Sequence, residues 1–305
     1  MPELSSEEIW KRLVTGEPLQ GLYPVIGGRI DLRGLCGPEP SVVRQFEIDT
    51  KGIKAFEGFV ELRGVHLKGI DFSHCRLDSL RFFDSTIEDC VFDNGRCQDW
   101  RMWRTAVLNT SFRNTDLRNS ALGPVNRTDT KRNSFRSIDF TNADLRKTVY
   151  VSADMINCVF AQTNLTKIDF QGTIFKDCIF SGLLNEVIFY QRAFQGETFP
   201  PNEMLGVDLR EATLRHVEFR NLDMNDVKWP ESNQHILLSN YKACLSRMLD
   251  TLSNCKDESS KRVQAILRMK LKWAGPNQRE GVLSKPDLLE QGSPDVITQL
   301  LSLCG

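Results

Sequence analysis

Apolar residues return at every fifth position over more than half of this chain. From Leu62 the series runs Leu67, Phe72, Leu77, Phe82, Ile87, Phe92, Cys97, Met102, Val107, Phe112, Leu117 and Leu122 without a slip. Two positions ahead of each stands a second series: Val60, Val65, Ile70, Cys75, Leu80, Ser85, Cys90, Gly95, Trp100, Thr105, Thr110, Thr115 and Ser120. These are small or β-branched apart from Leu80 and Trp100, and the positions between are mostly Arg, Asp, Asn, Ser and Lys. The frame breaks at 123–133, GPVNRTDTKRN, and resumes three residues out of step with Phe135, Phe140, Leu145, Tyr150, Met155, Phe160, Leu165, Phe170, Phe175 and Phe180. A one-residue deletion near 181–183 shifts it again, to Leu184, Phe189, Phe194, Phe199, Met204, Leu209, Leu214, Phe219, Met224 and Trp229. In this third run Arg192, Glu197 and Asn202 occupy the small register, and Pro200-Pro201 cannot continue a β ladder, so 191–203 reads as a loop that keeps register.

A period of five fits neither an α-helix nor a flat strand. It fits a chain that turns a corner every five residues, with two side chains of each five inward and three outward. Four such units close a coil of twenty residues. Coils stacked by backbone hydrogen bonds rise by about 4.8 Å each, so roughly thirty units make a rod about 35–40 Å long. The units Asn142-Ala143-Asp144-Leu145, Ser152-Ala153-Asp154-Met155, Thr115-Asp116-Leu117 and Thr163-Asn164-Leu165 resemble the A(D/N)Lxx unit of the pentapeptide-repeat family. The resemblance covers about residues 58–230, with Trp100 at a small site and Cys97 at a large one as departures. It implies an all-β solenoid with α-helical flanks, a right-handed quadrilateral parallel β-helix, and a bacterial source. It leaves function open, because family members inhibit enzymes, act as adaptors or serve as effectors.

Three segments follow from this reading. Residues 1–57 form an N-terminal helix, SSEEIWKRLVT at 5–15 capped by Ser5 or Ser6, and an irregular capping coil. Residues 58–230 form the repeat rod, with loops near 123–133 and 191–203. Residues 231–305 form a helical cap or interaction module. There, Ile236, Leu237, Tyr241, Leu245, Met248, Leu249 and Leu252 predict a helix over 234–254, and a second helix starts at Asp257 or Ser259 and runs through Trp273. A last helix near Pro294-Asp295 buries Val296, Ile297, Leu300 and Leu301. The resemblance adds a partner expectation, since topoisomerase inhibitors of the family dimerise through a C-terminal helix. Leu237, Tyr241, Leu245, Met248 and Leu252 are accordingly candidates for a homodimer or docking helix.

Charge narrows the function. The net charge is −1. Residues 1–50 carry five basic and eight acidic side chains, and residues 231–305 ten and eight, which leaves the rod neutral. That excludes a broad basic surface for nucleic acid and disfavours a DNA mimic, which must present phosphate-like negative density. An acidic cluster of Asp84, Glu88, Asp89, Asp93 and Asp99 within one coil is the exception. The N-terminus lacks the basic start and apolar core of a signal peptide, and no apolar run spans a bilayer, so a cytoplasmic home without membrane attachment is expected. Nine cysteines without a CxxC pair do not read as a disulfide framework. Cys75, Cys90, Cys158 and Cys178 fit the small inward sites as packing residues. His66, His74, His216 and His235 have no ligands at metal spacing, there is no phosphate loop, and no triad or paired carboxylates face a cleft. No enzyme, cofactor or metal is expected.

Outward positions that are apolar carry the remaining signal. Phe83 and Trp103 lie twenty residues apart on one edge, flanked by Arg101 and Arg104, with Leu108 one corner on. Val149, Val151, Ile156, Val159, Ile174 and Ile179 also point out, Val159 and Ile179 sharing a face. Exposed apolar residues rimmed by charge mark interfaces, and the aromatic-plus-Arg mix is common at hot spots. Phe83, Trp103, Leu108, Arg101, Arg104, Val159 and Ile179 are the candidate partner surface. Arg210, Arg215 and Arg220 occupy successive corners and read as solvated. The expectation is a protein-binding scaffold or adaptor. The alternatives are a DNA-mimicking inhibitor of a type II topoisomerase and an effector or toxin-associated protein.

Overall fold

Short strands centred on the large inward residues carry the ladder. Phe59–Arg63 pairs in parallel with Leu80–Phe83, and that strand with Arg101–Trp103, twenty residues further on. Beside them runs a parallel stack of His66–Lys68, Thr86–Glu88, Ala106–Leu108, Ser134–Arg136, Asp154–Ile156 and Ile174–Lys176. Isolated bridges such as Arg76↔Arg96 and Arg96↔Asp116 continue the pairing on sides too short to form strands. The result, in a computed structural model that describes residues 4–46, 52–123, 131–194 and 199–303, is a solenoid of the β-helix type followed by C-terminal helices.

The two inward registers fill its interior. Each large-register residue from Leu62 to Leu122 and from Phe135 to Phe180 is at most 2% exposed. Because a side chain recurs directly above its predecessor one coil on, identical residues stack. Phe72, Phe92, Phe112, Phe140, Phe160 and Phe180 form a column with ring centroids 4.7 to 5.6 Å apart. Tyr150, Phe170, Phe189 and Phe219 form a second. Threonine, serine and cysteine suit the small register because the side chain returns its proton to a nearby carbonyl. Thr115 donates to the Phe92 carbonyl at 2.8 Å, Thr163 to that of Phe140 at 2.7 Å, and Cys158 to that of Phe135 at 3.5 Å. Trp100 is accommodated by donating its indole N–H to the Leu77 carbonyl and packing edge-on against Phe82 and Phe92. Gly95 is required by close approach, since a Cβ there would lie 2.8 Å from the Cys75 sulfur.

The corners have their own signature. From Gly64 to Gly182, every described second residue after a large one is left-handed, with φ near +50° to +84°. Asp84, Asp89, Asn94, Asp99, Asn109, Asn114, Asn119, Asn142, Asn157 and Asp177 are among them, residue types that tolerate this conformation. A third outward position is therefore as constrained as the inward two, a signal that a hydrophobicity pattern misses.

The interruptions fall where the frame slips. Ala106 pairs with Ser134, twenty-eight residues on, so the first loop adds eight residues. Phe170 pairs with Phe189, nineteen on, which is the single deletion. Gly182 pairs with Ala212, thirty on, so the second loop adds ten residues, or two whole units, and keeps register for that reason. Residues 124–130 of the first loop and 195–198 of the second, including Glu197, lie outside the described residues. Both loops re-enter the rod through an asparagine in the small register. The buried amide of Asn133 accepts from the Thr105 N–H at 2.9 Å and donates to the carbonyls of Met102 and Leu122 at 2.6 and 2.8 Å. Asn202 accepts from the N–H groups of Phe175 and Met204, both at 3.1 Å. Arg132 ties the loops together: it pairs with Asp154 at 3.1 Å and lies over the Phe199 ring at 4.6 Å.

Both ends are covered. Helix α1, Ser6–Thr15, is capped by Ser5 and lays Trp10 on Phe72 with the rings within 7° of parallel, 6.3 Å apart. The Trp10 indole donates to the Cys36 carbonyl at 2.9 Å. Arg29–Asp31 joins the parallel ladder at Ile70–Asp71, and a second helix, α2, covers Pro40–Phe46. Ile53–Phe56 pairs antiparallel with Phe59–Arg63, so the first strand of the rod already has a partner upstream of residue 58.

At the other end, helices α3 (Tyr241–Leu252), α4 (Glu258–Trp273), α5 (Lys285–Gln291) and α6 (Pro294–Ser302) surround an antiparallel strand pair, His235–Ser239 with Glu280–Ser284. The helix expected over 234–254 therefore begins only at Tyr241. Asn240 is left-handed and breaks the chain there, placing Ile236 and Leu237 in a strand. These elements enclose a second core of Leu238, Tyr241, Cys244, Leu245, Met248, Leu252, Val263, Leu267, Leu283, Leu288, Ile297 and Leu300. Arg215 fastens it to the last coil through Asp287 at 2.7 Å and through Glu290, and the Asp287 carboxylate also accepts from the His216 backbone N–H at 2.7 Å. Asn221 N–H donates to the Trp273 carbonyl, and neutral His235 accepts the Leu214 N–H at 3.0 Å.

Candidate surface for partner binding

Coil stacking converts sequence spacing into columns on the outside of the rod. The column after Leu62, Phe82, Met102, Leu122 and Tyr150 contains Arg63, Phe83, Trp103, Gly123 and Val151, and the column before them contains Glu61, Arg81, Arg101, Ala121 and Val149. Phe83 and Trp103 stack with centroids 4.5 Å apart and planes 2° from parallel, and the Arg63 guanidinium covers Phe83 at 4.0 Å. Both rings are half-buried by this stacking, and Val149 beyond them is 50% exposed. Val151 N–H donates to the Gly123 carbonyl at 3.0 Å, which seats the valines one coil beyond the glycine. Phe83, Trp103, Val149 and Val151 thus lie along a single side of the rod, with the buried Ala121 and Gly123 of the intervening coil between the aromatics and the valines. Sequence spacing paired the aromatics, but it did not join them to the valines, because the eight-residue insertion between them hides the alignment.

Val149 and Val151 also line a groove of about 850 Å³, together with Lys147, Lys167, Asp169, Ile188 and His216. The other candidate residues lie elsewhere. Leu108 belongs to the stack with Glu88 and Arg136 on the next side, and Val159 and Ile179 pair on the one after. The candidate surface is therefore not one patch: Val159 and Ile179 make a second, smaller one. Arg104 holds Asp84 through two contacts at 2.7 and 3.0 Å, and Arg101 pairs with Asp99 at 3.1 Å. Both arginines are already engaged within the rod.

Much of the rod's charge is cancelled in local pairs. An acid just before a large residue is clamped by an arginine just after it in Asp31–Arg33, Glu61–Arg63, Asp116–Arg118, Asp144–Arg146, Asp208–Arg210 and Glu218–Arg220. Arg33 and Arg210 hold the carboxyls of Asp31 and Asp208 below the usual range. The acidic cluster is also paired: Asp84 with Arg104, Glu88 with Lys68 and His66, Asp89 with Arg29, and Asp99 with Arg81, while Asp93 accepts from Ser111 and the Arg113 N–H. Such pairs contribute little to stability individually, but they remove a continuous negative stripe. Arg215 and Arg220, read from sequence as solvated, are both engaged: Arg215 fastens the helical module, and Arg220 lies over Tyr190 and Trp273.

The inward thiols are packing groups. Burial pushes the Cys90 thiol up to about 12 and raises Cys97 and Cys178 as well, which keeps these three protonated at neutral pH. The proposed docking helix is turned inward. Tyr241, Leu245, Met248 and Leu252 are at most 6% exposed within the second core, so they cannot meet a partner while the module is folded. Leu237 alone of the five is exposed, and it lies in the strand. No helix of the described chain is long and apolar enough to cross a membrane.

Residues 134–182 match the family model for pentapeptide repeats, in 8 copies. No curated protein matches the chain. Among solved structures, HetL from the cyanobacterium Nostoc sp. strain PCC 7120, described as a pentapeptide repeat protein involved in heterocyst differentiation regulation, is similar over 73% of this chain and 96% of its own, at 12% identity and a TM-score of 0.28. QnrB1, described as a plasmid-mediated fluoroquinolone resistance protein, covers 53% of this chain and 84% of its own, at 13% identity and a TM-score of 0.24. Rfr23 from the cyanobacterium Cyanothece 51142 covers 55% and 87%, at 13% identity and a TM-score of 0.15.

Proposed function

This chain belongs to the pentapeptide-repeat family, and on that footing we propose that it is a non-enzymatic scaffold of the cytoplasm that holds a protein partner along one side of its rod. We read the coil as right-handed and four-sided, one side to each five-residue unit. The observation that carries the reading is the set of Phe83, Trp103, Val149 and Val151 along one side of a rod many of whose charges are cancelled in pairs. A rigid apolar strip with stacked aromatics offers contact area at little ordering cost, which favours association. The clamped carboxylates argue against the DNA-mimic alternative, because a mimic needs unpaired negative charge along its length.

The test compares the wild-type chain with a Phe83→Ala/Trp103→Ala variant and with an Arg118→Ala control on a different side. Partners are identified by affinity capture from the native cell and confirmed by titration with purified protein. Loss of at least about tenfold in affinity confined to the double variant is expected if two hot-spot aromatics are removed. Equal binding by all three proteins sinks the assignment of this side. Inhibition of DNA supercoiling by the purified chain would revive the mimic.

A further inference from the structure

The helical module distributes its charge unevenly. From Tyr241 to Trp273, helices α3 and α4 and the turn between them hold eight basic and three acidic side chains, whereas residues 274–305 hold two and four. Helix α4 buries Ser260, Val263, Gln264 and Leu267 along one face. On the opposite face Lys261, Ala265, Arg268 and Lys272 are all exposed. Their spacing of four, three and four residues sets them in one straight row, about 16 Å long at the helical rise. Lys261 meets the exposed carboxylate of Glu258 at 2.8 Å. Arg268 donates to the Gln264 side-chain oxygen at 2.9 Å, and the Lys272 ammonium lies 5.2 Å from the Trp273 ring centroid. Among the described residues, neither Arg268 nor Lys272 meets a carboxylate. The paired charges of the rod are thus followed by a helix face whose positive charge is largely unspent.

We propose that this row docks an acidic helical segment of a partner protein. Carboxylates spaced along one face of such a helix recur at the same rise and meet the cations one for one. Ala265, in the middle of the row, sets no bulk between the two helices. Length decides against a nucleic acid, whose phosphates extend far beyond 16 Å and whose affinity grows with the number neutralised. The residues after α4 are net acidic, so the positive charge does not continue there. This contact is separate from the one carried by Phe83 and Trp103.

The experiment titrates the full chain into a fluorescent helical peptide of about sixteen residues with glutamates at the matching spacing, at about 50 mM and about 300 mM salt. The wild type is compared with Lys261→Gln/Arg268→Gln/Lys272→Gln and with Arg136→Gln/Lys176→Gln/Lys228→Gln, which removes three exposed cations from the rod. Binding at low salt that weakens as salt rises is expected, with a loss of about tenfold in the α4 variant from three exposed ion pairs and none in the rod variant. The Phe83→Ala/Trp103→Ala variant is expected to bind the peptide as the wild type does. Should the α4 triple variant fail to fold, Lys261→Gln/Lys272→Gln takes its place. No binding of the peptide, or equal losses in the α4 and rod variants, overturns the proposal. So does tighter binding of a labelled oligothymidine that the α4 substitutions abolish, which would assign the row to nucleic acid. Sedimentation showing that the wild type self-associates through the row, and the α4 variant does not, would assign it to a second copy of the chain and overturn the proposal as well.

Discussion

Single residues inside the rod are judged by whether their polar atoms find a partner in the stacked backbone. Asn133 succeeds with three hydrogen bonds, so Asn133→Ala leaves the Thr105 N–H and two carbonyls without its amide. A loss of about 2–4 kcal/mol in urea unfolding is expected. Tyr150 fails: it fills a large site in the second aromatic column, and its hydroxyl is buried without a partner. Tyr150→Phe keeps the stack and removes the orphan, so a gain of about 1 kcal/mol is expected by the same measurement. His235 works only when neutral, because its Nε2 must accept the Leu214 N–H while Nδ1 meets the Ser232 hydroxyl at 2.7 Å. Burial keeps its pKa below the ordinary 6.5, opposed by the nearby Asp287 charge. The unfolded chain therefore takes up a proton near pH 6.5 while the folded chain does not. Its contribution is complete above that pH and drains away as the pH falls below it. In His235→Gln, the melting temperature is expected to depend less on pH below about 6.5 than in the wild type. Equal pH slopes in the two proteins would rule out this role.

Elements show what the sequence could and could not reveal. The rod was legible because some thirty large residues and their small companions keep one period, and the loops were legible because they break it. Asn202 within the second loop looked like a misfit in the small register, yet it is the plug that closes the coil. Only hydrogen-bond geometry distinguishes it from Arg192, which has the same register. The corners were illegible to hydrophobicity, since Asp and Asn there are chosen for backbone conformation. In the C-terminal segment, a helical spacing that started too early concealed a strand. Glu280–Ser284 was missed altogether because its partner lies some forty residues upstream and the sequence gives no repeat to guide pairing. The candidate stripe was half legible: the aromatics are twenty residues apart, whereas the valines are displaced by an insertion. Fastening of the module to the rod was invisible, because it joins Arg215 to Asp287 across long sequence separation. Arg215→Ala leaves the Asp287 carboxylate, 8% exposed, without its cation. A loss of about 1–3 kcal/mol is expected, with faster amide exchange confined to the module. Exchange that accelerates throughout the rod instead would show that the two unfold together.

At the scale of the whole molecule, the rod is a stack in which each coil rests on its neighbours, with Trp10 closing one end and the helical module the other. The second loop adds two units, and its ends already touch, the Asn202 N–H donating to the Gln191 carbonyl at 2.8 Å. Deleting residues 192–201 is expected to leave a folded rod with a continuous ladder, whereas deleting 192–202 removes Asn202 and shifts every later side chain by one position. Circular dichroism and cooperative melting separate the two outcomes, and equal behaviour of the two deletions would contradict the register argument. The same stacking also gives the rod a mechanical direction. Tension applied between its termini loads the coil-to-coil hydrogen bonds one side at a time, as in peeling tape, and not all together in shear. Each coil that peels frees twenty residues, about 70 Å of extended chain, while the two coils that carry insertions free about 100 Å each. Stretched singly, the protein is expected to lengthen in unequal steps, and the two long ones would mark the loops along its contour.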